Sequence, residues 1–275
     1  MGTESNGGFV NISISNCAIS SSPDSPRKLH KGGRGLAGIA LEMVDGGRLD
    51  RVTISNIAIR GVNVPIFMRL GDRGRPYKKD MLRPPVGSFK NVTVSNVIAT
   101  EVSPIGCSIT GLPGHPIENV TLSNINLSFD GGEEKALAAR AVAELPEQYP
   151  ESGMFGKLPA YGLFCRHVKG LTLSNVALRT AKPDLRHALV CDDVQDLAIE
   201  NLDAKYWPGA ATLLRLTGVR GALIRGCRPQ VSGGAFLKLE GSETSNIVLT
   251  GNDLSGVGNV ADVAGDVAKT ALVQK

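Results

Sequence analysis

The sequence predicts an all-β chain folded as a single-stranded, right-handed parallel β-helix with three short strands per coil and about eight coils. Two observations predict it. One short segment recurs eight times along the chain, and in each clear copy the apolar alternation slips by one position at a fixed polar residue. Composition agrees: 42% of residues are hydrophobic but only 4% are aromatic, so the interior must be built from Val, Ile, Leu and Ala, residues that suit stacked strands. A chain of 275 residues is long for one compact core but ordinary for a repeat protein, which lengthens without thickening.

The recurring segments are Val10–Asn16, Arg51–Asn56, Asn91–Asn96, Asn119–Asn124, Gly170–Asn175 and Asp196–Asn201, with weaker copies at Gly221–Gly226 and Asn246–Gly251. Their last residues lie 40, 40, 28, 51, 26, 25 and 25 positions apart, so a period near 25 is stretched by insertions. Within a copy, Val52 and Ile54 alternate with polar residues, and the apolar pattern resumes out of phase at Ile57 and Ile59. Alternation means strand, and the slip means a corner turned at the Asn without leaving the core. Asn tolerates the left-handed backbone that such a corner needs, and Gly replaces it in the last two copies. Stacked coils should align the six Asn as a ladder of side-chain amides.

A further strand precedes most copies, at Gly38–Met43, Pro65–Leu70, Ile105–Thr110, Tyr161–Arg166, His187–Cys191, Thr212–Leu216 and Ala235–Leu239. Insertions are expected at 20–36, 69–85 and 130–159, the last carrying Glu133–Glu144, whose composition favours a short helix. The β-helix domain is placed at 1–259. A C-terminal tail or cap, weakly helical around Val260–Lys269, is placed at 260–275.

Several function classes are disfavoured. The formal charge of +4 is mild and scattered, without the basic stripe and stacking aromatics expected of a nucleic-acid binder. No apolar run is long enough to cross a bilayer, and Met1–Asn6 lacks the basic and apolar regions of a signal peptide. The five cysteines, Cys17, Cys107, Cys165, Cys191 and Cys227, form no CxxC pair and read as small core residues. No cofactor and no metal site are expected.

Gly2–Phe9, Leu36–Gly47, Pro65–Pro76, Gly111–Glu118 and Pro159–His167 together resemble a bacterial branch of the polygalacturonase-like glycoside hydrolases, a pectin lyase-like β-helix family (glycoside hydrolase family 28). As a set the stretches cover nearly the whole chain, which is similar to the C-terminal part of that family. The resemblance implies inverting hydrolysis of a pectic or related polysaccharide by two aspartates, and export from the cytoplasm, which is usual in the family. The family's Asn-Thr-Asp and Asp-Asp motifs would precede the segment matched by Gly2-Thr3-Glu4, so an N-terminally shortened, inactive chain is expected, with the catalytic aspartates upstream of Met1. Inverting chemistry needs two carboxyl groups about 6.5–9.5 Å apart. The family's Arg-Ile-Lys motif would fall on Ala40-Leu41-Glu42, where neither basic residue is found, and a carboxylate at Glu42 would repel a uronate unless protonated or paired. Asp192-Asp193 resembles the acidic pair but lies many coils later and reads as a strand end.

With Ile39, Leu41 and Met43 inward, Glu42 points out, and the same parity exposes Arg69, Thr110, Arg166, Asp192, Arg215 and Lys238 as a polar column that could track a sugar chain. The saccharide-binding candidates are Glu42, Arg69, Arg73, Arg75, Tyr77 and Arg166. The arginines would pair with acidic sugars while Tyr77 stacks on a ring. Weaker candidates are Glu4 as a brace of the turn, His115 between Gly114 and Pro116, and His167 as an inward hydrogen-bonded residue. The bland counterpart is that the outer face of any soluble sheet is polar. Expected partners are thus a polysaccharide or oligosaccharide, acidic in one version, with neither nucleic acid nor membrane. A first strand within ten residues of Met1 leaves the first coil uncapped, which would favour self-association. The rival class is a noncatalytic saccharide-binding or adhesive β-helix. A lyase would require a calcium-binding acidic cluster, which the sequence does not offer.

Overall fold

A computed structural model describes residues 1–21, 34–229 and 233–275. Most of the expected insertion at 20–36 lies outside the described residues. The described residues form sixteen strands: β1 (Phe9–Ser20), β2 (Gly35–Met43), β3 (Arg48–Arg60), β4 (Val62–Leu70), β5 (Ser88–Val102), β6 (Cys107–Thr110), β7 (Ile117–Phe129), β8 (Ala160–Thr180), β9 (His187–Glu200), β10 (Asp203–Ala204), β11 (Leu214–Thr217), β12 (Arg220–Arg225), β13 (Ala235–Glu240), β14 (Ser245–Thr250), β15 (Asn259–Val263) and β16 (Leu272–Gln274). Every pairing between them is parallel. The chain is all-β, and each strand pairs with the equivalent strand one coil on, the arrangement of a parallel β-helix.

One ladder runs β1-β3-β5-β7-β8-β9-β12-β14-β16, with Ile12, Val52, Val92, Val120, Leu171, Leu197, Ala222, Ile247 and Leu272 in one register. A second runs β2-β4-β6-β8-β9-β11-β13-β15. The long strands β8 and β9 belong to both because the chain bends through the corner without breaking its pairing. Between the ladders lies one continuous core of aliphatic side chains, to which Cys107, Cys165, Cys191 and Cys227 contribute as buried thiols, while Cys17 is half-buried on the terminal strand β1.

The corners bear out the amide ladder. Asn16, Asn56, Asn96, Asn124, Asn175 and Asn201 all take φ between 54° and 58°. Each amide nitrogen from Asn56 onward donates to the amide oxygen of the Asn one coil before it, at 2.9–3.0 Å. At Gly226 (φ 64°) the ladder ends, since Gly carries no amide to donate, and the Oδ1 of Asn201 lies 2.2 Å from where a Cβ would sit. A second left-handed corner stands five residues before the first in every coil, at Asn11, Arg51, Asn91, Asn119, Gly170, Asp196, Gly221 and Asn246. Each recurring segment is therefore a short strand bracketed by two left-handed residues, a feature present in the sequence as the first residue of every repeat but the earliest, where it is Asn11, the second residue of Val10–Asn16.

Two expectations change. β15 and β16 pair in parallel with β13 and β14, so the strand ladder continues past residue 259 to Gln274 instead of giving way to a helical tail. In the 130–159 insertion the only helix among the described residues is a 3-10 turn, Lys135–Ala139. No side chain caps it at Glu134, and five residues are too few to hold a helix by propensity alone. The insertion is fixed instead by packing. Phe155 and Leu158 form a satellite core with Val64, Phe67, Ala160, Phe164 and Val190, on the outer face of the second sheet.

Candidate functional site

The outer face of the second ladder carries two neighbouring columns. In one, Glu42, Arg69, Thr110, Arg166, Asp192, Thr217 and Glu240 stand in register. In the other stand Ala40, Phe67, Ser108, Phe164, Val190, Arg215, Lys238 and Asp262. Arg215 and Lys238 therefore lie two residues off the Glu42 column, on the same face. The sequence parity is right, but strand pairing shifts which residues align.

Parity did not give solvent access. The 130–159 insertion folds over the middle coils and buries the central members of both columns. Arg69 is 1% exposed and Arg166 is 4% exposed. The Arg69 guanidinium donates to Thr110 Oγ1 (3.4 Å) and to the carbonyls of Gly111 (3.2 Å), Glu144 (2.7 Å) and Leu145 (3.1 Å), and it stacks 5.5 Å from the Phe155 ring centre. Arg166 donates to the carbonyls of Val142 (2.6 Å) and Ala143 (3.0 Å) and lies over Phe164. Burial, and then the neighbouring Arg166 charge, pull the Arg69 pKa down to about 10. Both arginines pin the insertion to the sheet, so neither is free to meet a saccharide, contrary to the open column expected.

His167 belongs to the same clamp. It occupies a left-handed corner (φ 53°), with Nδ1 2.7 Å from Asp193 Oδ2 and Nε2 3.1 Å from Glu144 Oε1. Asp193 in turn accepts from Arg220 at 2.7 Å. Burial would raise the Asp193 carboxyl, but His167 and Arg220 outweigh it and hold it below its ordinary range. Asp193 is thus engaged as a bridge. Its neighbour Asp192 is shifted upward by burial, against the pull of Arg166 and His167.

At the N-terminal end the face is less covered: the side chains of Glu4, Arg75 and Tyr77 are exposed, while that of Arg73 is 10% exposed. Glu42 is half-buried, its N–H donating to the Met1 carbonyl at 2.9 Å, and burial pushes its carboxyl up to about 7 against the downward pull of the Met1 ammonium and Arg73. Arg73 makes a two-point contact with Asp45, donating from Nε at 2.9 Å and from Nη2, and lies 5.4 Å from the Tyr149 ring centre. Arg73 also donates to the Thr3 carbonyl (3.2 Å) and to Glu4 Oε1 (3.4 Å), which accepts from Arg75 at 3.2 Å as well. Burial would raise Asp45, yet the Arg73 contact and the Arg75 backbone N–H hold it low. Glu4 is exposed and braces the two arginines, its carboxyl lowered first by the Thr3 hydroxyl. Tyr77, on the same loop, is 75% exposed. His115 lies apart, on an exposed turn closed by mutual backbone hydrogen bonds with Leu112 (2.9 and 3.0 Å).

Beyond the insertion the face opens again as a cleft of about 870 Å³, reached by Lys135, His187, Arg215, Lys238, Glu240 and Asp262 among others. Only Arg215 and Lys238 of these were legible as outward residues. The rest gather from a loop, a strand start and the last coils, which no local pattern links.

Searches against protein-family models, curated proteins and solved structures find no match to the chain. Among the described residues no cluster of three or more His, Cys, Asp or Glu side chains is arranged to hold a metal ion.

Proposed function

We propose that this chain is a polygalacturonase-like β-helix that handles a pectic or related acidic polysaccharide, and that its described residues bind the polymer without supplying a hydrolytic acid and base. The coil is taken as right-handed, the hand favoured by crossovers between parallel strands. The reading rests on the resemblance in sequence and on one observation, the open rim where Arg73 and Arg75 converge on Glu4 and Asp45 beside Glu42, with Tyr77 exposed on the same loop.

The rim chemistry suits a uronate. Arg75 presents an exposed guanidinium whose planar fork matches a carboxylate. With its pKa near 7, Glu42 is largely a neutral acid below neutrality, so it donates a hydrogen bond where a carboxylate would repel. Exposed Tyr77 offers a ring face to a sugar. Two other carboxyls of this outer face are committed, Asp193 to His167 and Arg220, and Glu240 to Arg215 and Lys238. Asp192 is not, but it stands four coils from Glu42, about 19 Å at ~4.8 Å per coil and beyond the about 6.5–9.5 Å of inverting chemistry. That pattern supports binding over cleavage.

Affinity electrophoresis of the chain in polygalacturonan gels, with a reducing-end assay on the same polymer, tests this. Retardation is expected, with loss in the Arg73→Gln/Arg75→Gln double variant and no release of reducing ends. Unretarded migration would overturn the reading, and release of reducing ends would overturn its binding-only part. The covered middle of the face favours a second reading, a saccharide-binding or adhesive β-helix without preference for acidic polymers. Equal retardation in a neutral glucan would select it.

A further inference from the structure

The cleft at the C-terminal coils is built from three segments. The 3-10 turn of the insertion contributes Lys135, Ala138 and Ala139, the 206–212 turn forms one wall, and β11, β13 and β15 form the floor. Arg215 joins two of them, donating from Nη1 to the Ala138 carbonyl (3.2 Å) and from Nε to Glu240 Oε2 (2.6 Å). Lys238 Nζ lies 2.6 Å from the other oxygen of Glu240. Burial would raise Glu240, but Lys238 and Arg215 more than offset it and keep it ionised. Two cations thus share one anion, leaving surplus positive charge. Exposed Lys135 at the rim adds to it, and Asp262 is engaged by the Asn259 amide. Among the described residues, Arg215 Nη2 has no hydrogen-bond partner.

His187 supplies a different group. It is 4% exposed, and its Nδ1 lies 2.6 Å from the Thr212 carbonyl, which can only accept. Nδ1 therefore carries the proton, and Nε2 is left as a lone pair with no partner among the described residues. Burial lowers the pKa of this ring to about 4, so it stays neutral at physiological pH. A neutral acceptor beside paired cations does not suit a simple deprotonated anion, which has no proton to offer it. It suits a molecule with both a carboxylate and hydroxyl groups. The walls leave room for one: Gly209, Gly234, Gly258, Ala210, Ala211 and Ala235 bring little more than backbone to the space. The volume is that of an ordinary small-ligand site, about 300–1,000 Å³.

We propose that this cleft is a second saccharide site, separate from the N-terminal rim, that binds a short uronic-acid oligosaccharide, with Arg215 and Lys238 on the carboxylate and His187 Nε2 accepting from a ring hydroxyl. The buried middle of the sheet, under Arg69 and Arg166, separates the two sites.

The test is calorimetric titration of the full chain with digalacturonate, in the Arg73→Gln/Arg75→Gln background so that the rim reading can fail independently. Saturable binding is expected, weakened about tenfold by adding Lys238→Met, the loss of one charged hydrogen bond. Lys238 is half-buried on the outer face and belongs to no core cluster, so it is replaceable without disturbing the core, and Lys135→Met at the cleft mouth gives a second, milder loss. Galactobiose, which lacks the carboxylate, should bind at least tenfold more weakly than digalacturonate. The proposal fails if digalacturonate does not bind, if both lysine variants bind as tightly as their parent, or if inorganic phosphate competes with equal affinity.

Discussion

The Asn ladder at the corner and the polar column on the outer face of the second sheet are both rows of outward polar residues, one per coil, yet they behave differently. In the ladder each residue has the same type, the same left-handed backbone and the same partner one coil away. In the column Glu42, Arg69, Thr110, Arg166 and Asp192 share a register and little else. Some are open, some lie under a loop, and their partners come from more than 70 residues away in the case of Arg69. A row that satisfies itself reports the backbone. A row that must find partners elsewhere reports what has been laid over it, and there function can be placed.

The largest effect in that contrast is expected at Arg69. Arg69→Met keeps an apolar stem against Phe155 but strips the Gly111, Glu144 and Leu145 carbonyls of their donor. Losing charged hydrogen bonds to buried acceptors should cost about 3 kcal/mol. Urea denaturation checks the loss, and limited proteolysis should cut first within 130–159. A variant as stable and as protected as its parent would mean that the insertion holds without the clamp.

The same contrast explains what was legible in the sequence. Val52, Ile54, Ile57 and Ile59 announce strand, corner and strand because alternation and phase slip are local properties of the chain. Arg69 and Arg166 were legible as outward-pointing, which parity decides, but not as buried, since that depends on where Val142–Leu145 come to rest. The short apolar signals in the insertion, Phe155 and Leu158, could have pointed to a covering loop had they been matched with Phe67 and Phe164, large apolar residues at outward positions of their strands. An outward Phe is the local trace of a covered face. His187 carried no such trace, because its partner Thr212 lies 25 residues on.

A smaller effect is expected within the ladder, where chemistry and backbone can be separated at Asn96. This residue donates to Asn56 Oδ1 at 2.9 Å and accepts from Asn124 Nδ2 at 3.0 Å while holding φ at 54°. Asn96→Ala loses both hydrogen bonds and retains a Cβ in left-handed backbone, an expected cost of about 2–3 kcal/mol. Asn96→Gly loses the same bonds but relieves the backbone, and should recover about 1 kcal/mol of that. Chemical denaturation of the two variants side by side gives the difference. Equal losses would mean that a Cβ costs nothing in this left-handed backbone and that the amide alone dictates the repeat.

The smallest effect concerns the open end of the column and is visible only as a function of pH. The Glu42 carboxyl has its pKa raised by burial from an ordinary 4.5 to about 7, so the native state holds this proton more tightly than the unfolded chain. Its contribution is fully present below pH 4.5 and is lost as pH rises through about 7. Glu42→Gln, which cannot ionise, should therefore match the parent in acid and become the more stable of the two towards pH 8, the gap opening between 4.5 and 7. The gap stays small because the side chain is only partly shielded and solvent screens the charge. Thermal melts across that range read it directly. If the two curves stay parallel, Glu42 titrates as an ordinary surface carboxylate, and the rim would then present a negative charge to a uronate at neutral pH.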